Sequence, residues 1–111
     1  MKRPPRTIMP LIAALLALLL LGSAAQAQDP ARRGRALLTE FCARCHAIEK
    51  TGNSPHVGAP PFRTLGARFD LDQFARRLER GVSSGHPDMP EFKFGEDDAR
   101  AVRAYLRTIQ E

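Results

Sequence analysis

The sequence predicts an all-α chain. Three stretches carry apolar residues at helical spacing. The segments between them are rich in Gly and Pro. No run alternates apolar and polar residues for long enough to make a strand.

The first 27 residues read as an address rather than a fold. Lys2, Arg3 and Arg6 form a positive start, residues 11–21 are apolar throughout, and Ala25-Gln26-Ala27 sets small residues at a cleavage site. That order is a secretory signal peptide, and cutting after Ala27 leaves residues 28–111 as one domain. No adjacent Arg-Arg pair precedes the apolar run, and no Cys lies near the cleavage site. The competing reading is an uncleaved membrane anchor, because residues 8–25 carry no charge and approach the ~20 residues that span a bilayer.

The whole chain has a formal charge of +5, but three of its 17 basic residues belong to the leader. The domain keeps 14 basic against 12 acidic residues, a net +2. Acids and bases are interleaved and Trp is absent, so neither a concentrated basic patch nor a set of stacking aromatics points to nucleic acid. A domain of this size has a small core and often needs a staple such as a cofactor.

Asp29-Pro30 predicts a helix start, with Asp as N-cap and Pro at the first helical position. The helix should run through Ala31 to Phe41 or Cys42, with Leu37, Leu38 and Phe41 on one face. Gly34 inside it costs ~1 kcal/mol relative to Ala, which suggests a close contact with another backbone. Residues 47–66 read as a loop, punctuated by Gly52, Asn53, Pro55, Gly58, Pro60 and Pro61. A ~20-residue loop in so small a domain calls for something to wrap around. Asp70 should cap a second helix, with Gln73 three residues on and Gly81 as its stop. A second loop follows over 82–95. Glu96, Asp97 and Asp98 then open a last helix, where the dipole favours them. Ala99, Val102, Tyr105, Leu106 and Ile109 form its buried stripe, and it should end near Gln110.

Both cysteines lie in Cys42-Ala43-Arg44-Cys45-His46, the C-x-x-C-H attachment signature of c-type haem. Two thiols at this spacing on a helical turn reach two vinyl groups on one side of a porphyrin, and His46 offers a proximal ring nitrogen. A thioredoxin-like pair would need a βαβ context, and a zinc site would need a fourth ligand. A plain disulfide remains the third alternative in an oxidising compartment. The second axial ligand must come from elsewhere. Met89 is the one methionine outside the leader, in a Pro-flanked loop, and its soft thioether suits haem iron. His86 and His56 are the rival ligands.

On these residues nearly all of 28–111 resembles the class I cytochrome c family, of the small monohaem bacterial kind. Gly34, Leu38 and Cys42 to His46 are similar to its N-terminal helix. Val102, Tyr105 and Leu106 are similar to the C-terminal helix that crosses it at the Gly. Ala59-Pro60-Pro61-Phe62 resembles the segment whose Pro carbonyl accepts a hydrogen bond from the proximal His, with Pro60 the first choice. Met-Pro-x-Phe at Met89 matches the short bacterial branch. The resemblance implies a cytochrome c fold of three to four helices wrapped around one covalent haem c, with His46 and Met89 on the iron. It implies an electron-transfer protein with no catalytic residue, working as a monomer in the periplasm between redox proteins, membrane-bound or periplasmic.

Two other functions stay open. One is a haem-binding subunit of a larger oxidoreductase, and the other a gas-binding haem protein if Met89 leaves the iron free. Arg63, beside Phe62, is a candidate partner for a haem propionate. Arg44, Arg76, Arg77, Arg80 and Lys93 are candidates for steering an acidic partner.

Overall fold

The computed structural model describes Met1 and residues 8–111, leaving out the side chains of 8 and 19–29. Lys2, Arg3 and Arg6, and the side chains of Ala25, Gln26 and Ala27, therefore lie outside the described residues. The Leu- and Ala-rich opening is a strong helix former: Pro10 falls in the first turn, where proline is tolerated, and Gly22 is a single weak position before Pro30. It makes one helix, α1, over Ile8–Phe41. The expected start at Asp29 is therefore corrected: the chain is already helical there, and Pro30 sits inside α1. Pro30 lacks one backbone donor, and the long run of helix formers on its N-terminal side carries the helix through it. Leu11, Ile12, Leu15, Leu16 and Leu18 stand exposed on the first half of α1. Among the described residues, no helix is long and apolar enough to cross a membrane.

A short 3-10 helix covers Phe62–Ala67, within the stretch expected as loop. Helix α2 spans Leu71–Arg80. It begins as the sequence predicts: Asp70 Oδ1 accepts a hydrogen bond from the Gln73 amide at 2.9 Å, and Gly81 closes the helix at φ +106°. Helix α3 spans Glu96–Ile109, with all three acids in its first turn. No strand occurs among the described residues, apart from one isolated antiparallel bridge between Val82 and Phe92. The fold is all-α.

Helices α1 and α3 cross at Gly34. A Cβ there would lie 2.0 Å from the Ala101 carbonyl oxygen and 3.0 Å from Tyr105 Cβ, so only glycine permits this approach. Leu38, Val102 and Leu106 are completely enclosed beside the crossing, and Ile48, Phe62, Leu65, Leu78, Phe94 and Ile109 extend the core around them. Burying a side chain of this kind contributes about 1.5–3 kcal/mol, so this small cluster holds much of the fold. Charge pairs frame it. Arg33 on α1 bonds Asp98 on α3. Arg103 and Arg107 on α3 reach Asp72 on α2 at 3.0 and 2.7 Å. Gln110, just past α3, donates to the Phe62 carbonyl at 3.0 Å and accepts from the Gly66 amide at 2.6 Å, pinning the 3-10 helix.

Candidate functional site

The two thiols and His46 sit on the turn that ends α1. The amides of Cys42 and Ala43 donate to the Leu38 carbonyl at 2.9 and 2.8 Å, and those of Cys45 and His46 donate to the Cys42 carbonyl at 3.1 and 2.9 Å. This continuous turn sets Cys42, Cys45 and His46 close together without a strand. Cys42 and Cys45 form no disulfide with each other, and both are half-buried. Burial, and then the neighbouring Cys45, push the Cys42 thiol up to about 11. The βαβ context of a thioredoxin-like pair is missing from the described residues. Among those residues, no three His, Cys, Asp or Glu side chains are grouped to hold a bare metal ion.

His46 is oriented by the backbone. Its Nδ1 lies 2.8 Å from the Pro60 carbonyl oxygen. A carbonyl can only accept, so Nδ1 carries a proton, and in the neutral ring the lone pair is on Nε2. The neighbouring Pro61 carbonyl is engaged elsewhere, accepting from Thr64. The Phe62 ring packs at 4.6 Å from the imidazole, tilted by 34°. Phe62 is anchored in turn, its amide donating to the Ala47 carbonyl at 2.9 Å. Beside Cys42, Phe41 meets Phe92 and Phe94 edge-on at 6.2 and 5.5 Å. Phe41 remains 39% exposed, an apolar face next to the thiols. Two half-buried cysteines outside any disulfide, a ring nitrogen left unbonded by the Pro60 contact and an aromatic wall fit a covalently attached haem.

Met89 is half-buried, whereas residues 83–88, Pro90 and Glu91 around it are exposed. His86 is exposed, and both ring nitrogens of His56 are engaged, Nδ1 by the Gly58 amide at 3.1 Å and Nε2 by Asp88 at 3.3 Å. Arg63 donates to Glu111 at 3.0 Å and to the Gly52 carbonyl at 2.8 Å, which joins the chain end to the first loop. The steering candidates are scattered. Arg44, Arg80 and Lys93 are exposed, Arg77 lies 5.6 Å over the Phe69 ring, and Arg76 lines a mixed-charge cleft with Asp72, Glu79 and Glu96.

A further network joins the site to the helix pair. Arg35 on α1 donates to Glu49 Oε1 at 2.8 Å. The Tyr105 hydroxyl on α3 lies 2.8 Å from Glu49 Oε2 and 2.9 Å from the Ile48 carbonyl. Tyr105 has one proton to share between these two acceptors. Burial, and then the Glu49 carboxylate, push the Tyr105 phenol up to about 12. Hydrogen bonds from Arg35 and then Tyr105 hold Glu49 below the usual carboxylate range.

The sign of the pH dependence follows. A raised phenol pKa stabilises the fold fully below pH ~10, and that contribution is lost as pH rises through about 12. Glu49 acts the other way, its small contribution being lost as pH falls through the carboxylate range. The urea midpoint should therefore fall between pH 10 and 12. Tyr105→Phe should flatten that fall and cost about 1–2 kcal/mol at pH 7. An equal alkaline fall in both proteins would refute this origin.

The family model described as cytochrome c oxidase, cbb3-type, subunit III matches residues 29–106, a span that takes in both thiols, His46, Pro60 and Met89. No curated protein and no solved structure matches the chain. With the attachment turn, the oriented imidazole and this match in hand, the chain belongs to that c-type cytochrome family, and the group it carries is a covalently bound haem c.

Proposed function

We propose that this chain is an electron carrier of the periplasm, exported on residues 1–27, whose haem iron is held by His46 and Met89. The bound haem supplies a reversible one-electron iron couple. The chain's own residues attach it, orient its ligands and shield it. The observation that carries the reading is the hydrogen bond from His46 Nδ1 to Pro60, which frees Nε2 for the metal and fixes the ring plane. Support for Met89 comes from its half-buried side chain in an otherwise exposed loop. His86 and His56 are the weaker candidates, one exposed and the other with both nitrogens engaged.

No residue is needed as acid, base or nucleophile, because electron transfer makes no bond to a substrate. The family's description favours a second reading, a relay subunit or partner of a terminal oxidase rather than a free shuttle. Both readings require a redox donor and a redox acceptor.

The test is a visible and near-infrared spectrum of the haem-loaded protein. A low-spin spectrum with the weak Met-to-ferric-iron band, abolished in Met89→Ala, is expected. A high-spin wild-type spectrum would overturn Met89 ligation and point to an open sixth position.

A further inference from the structure

The loop that carries Met89 is fixed firmly at its neck. Val82 and Phe92 exchange two backbone hydrogen bonds of 2.8 and 3.1 Å. Between them the bonds are local. Ser83 Oγ accepts from the Gly85 amide, Ser84 Oγ from the His86 amide, and His86 Nδ1 from the Asp88 amide, at 3.3, 3.0 and 3.2 Å. The Met89 amide donates to the His86 carbonyl at 3.1 Å. These bonds shape the loop but do not locate its tip. Among the described residues, one polar side-chain contact ties the tip to the rest of the molecule, His56 Nε2 to Asp88 Oδ2 at 3.3 Å. The His56 and His86 rings meet edge-on beside it, 5.8 Å apart.

His56 is suited to serve as the fixed half of that contact. Its amide donates to the Cys45 carbonyl at 3.1 Å, so its backbone is tied to the residue before His46. Its carbonyl accepts from the Ala59 amide at 3.0 Å, one residue from Pro60. Its Nδ1 faces the Gly58 amide at 3.1 Å and so holds the lone pair, which leaves the proton on Nε2, pointing at Asp88. Asp88 is the immediate neighbour of Met89. The contact therefore joins the segment that fixes the proximal histidine to the residue beside the proposed distal ligand.

We propose that His56 and Asp88 form a latch that holds the Met89 loop closed over the iron position, acting as positioning residues rather than ligands. The proposal rests on Met89 being the sixth ligand. A thioether is a neutral donor, so how often Met89 leaves the iron depends on how often its loop opens. Removing one half-exposed hydrogen bond should raise the open population roughly threefold to tenfold.

Ferric haem-loaded protein and free imidazole provide the test, because imidazole takes the sixth position only when Met89 has left it. His56→Ala and Asp88→Ala should each speed imidazole binding roughly threefold to tenfold. The double variant should exceed neither single one by more than about twofold, since both lose the same contact. His56→Gln, which keeps a side-chain N–H donor, should restore part of the wild-type rate. Exchange of the Met89 amide proton should quicken in step, while the urea midpoint moves little. Unchanged imidazole rates in both alanine variants, with the Met band intact in the wild type, would overturn the latch alone. A wild-type protein without a Met89-dependent band would overturn the ligation itself, and the latch with it.

Discussion

Gly34→Ala should destabilise the haem-loaded protein by about 3 kcal/mol. Helix propensity alone gives the opposite sign, since Ala is better than Gly by ~1 kcal/mol in a helix interior. The sterics decide the matter. The added methyl would sit 2.0 Å from the Ala101 carbonyl oxygen and 2.6 Å from its carbon. Both are backbone atoms of α3, so no rotamer change relieves them. The helices must move apart, and Leu38, Val102 and Leu106 then lose contacts in a core with few other members. The urea midpoint should fall at an unchanged slope. Gly95→Ala is the control, because a Cβ there meets nothing within 4 Å. Its cost should stay near the ~1 kcal/mol by which Gly is preferred to Ala at an N-cap, well short of the Gly34 loss. A stabilised Gly34→Ala protein would refute the close crossing.

That crossing was legible because a glycine inside an apolar helix needs a reason, and its spacing from Cys42 resembled a known family. Helices α2 and α3 were legible for local reasons: the Asp70 cap, the Gly81 stop and the acidic first turn all act within a few residues. The start of α1 was misjudged for the same kind of reason. Asp29-Pro30 is a good local start, but the helix formers before it outweigh one proline. The Arg35, Glu49 and Tyr105 network carried no local signal. Tyr105 looked like one more member of a buried stripe, and its hydroxyl partners lie 56 and 57 residues away. The 3-10 helix at Phe62–Ala67 was missed too, because Gln110 from the far end of the chain helps to hold it. At the site, the residue types were readable and their mutual orientation was not. The resemblance put Pro60 ahead of the adjacent Pro61, and in the fold it is the Pro60 carbonyl that faces His46.

Cys42→Ala combined with Cys45→Ala should abolish covalent haem and with it most of the fold's stability. Each single variant should keep haem through the remaining thioether, whereas the double variant should lose it to acidic solvent extraction. The consequence for folding follows from the apolar surface at the site. Phe41 is 39% exposed, and the Phe41, Phe92 and Phe94 cluster lies beside the thiols. Attached haem would give these rings a large apolar partner and, on the proposed ligation, would give His46 a metal to hold. Because an attached group binds the folded chain and has no comparable site in the unfolded one, its binding energy becomes folding energy. A loss of about 3 kcal/mol or more should lower Tm by at least roughly 12 °C in a domain of this size. His46→Ala separates the two roles, since it should retain the covalent haem but lose the low-spin spectrum. If the double-cysteine variant melts with the wild type, the helices alone sustain the fold and the haem is cargo rather than staple.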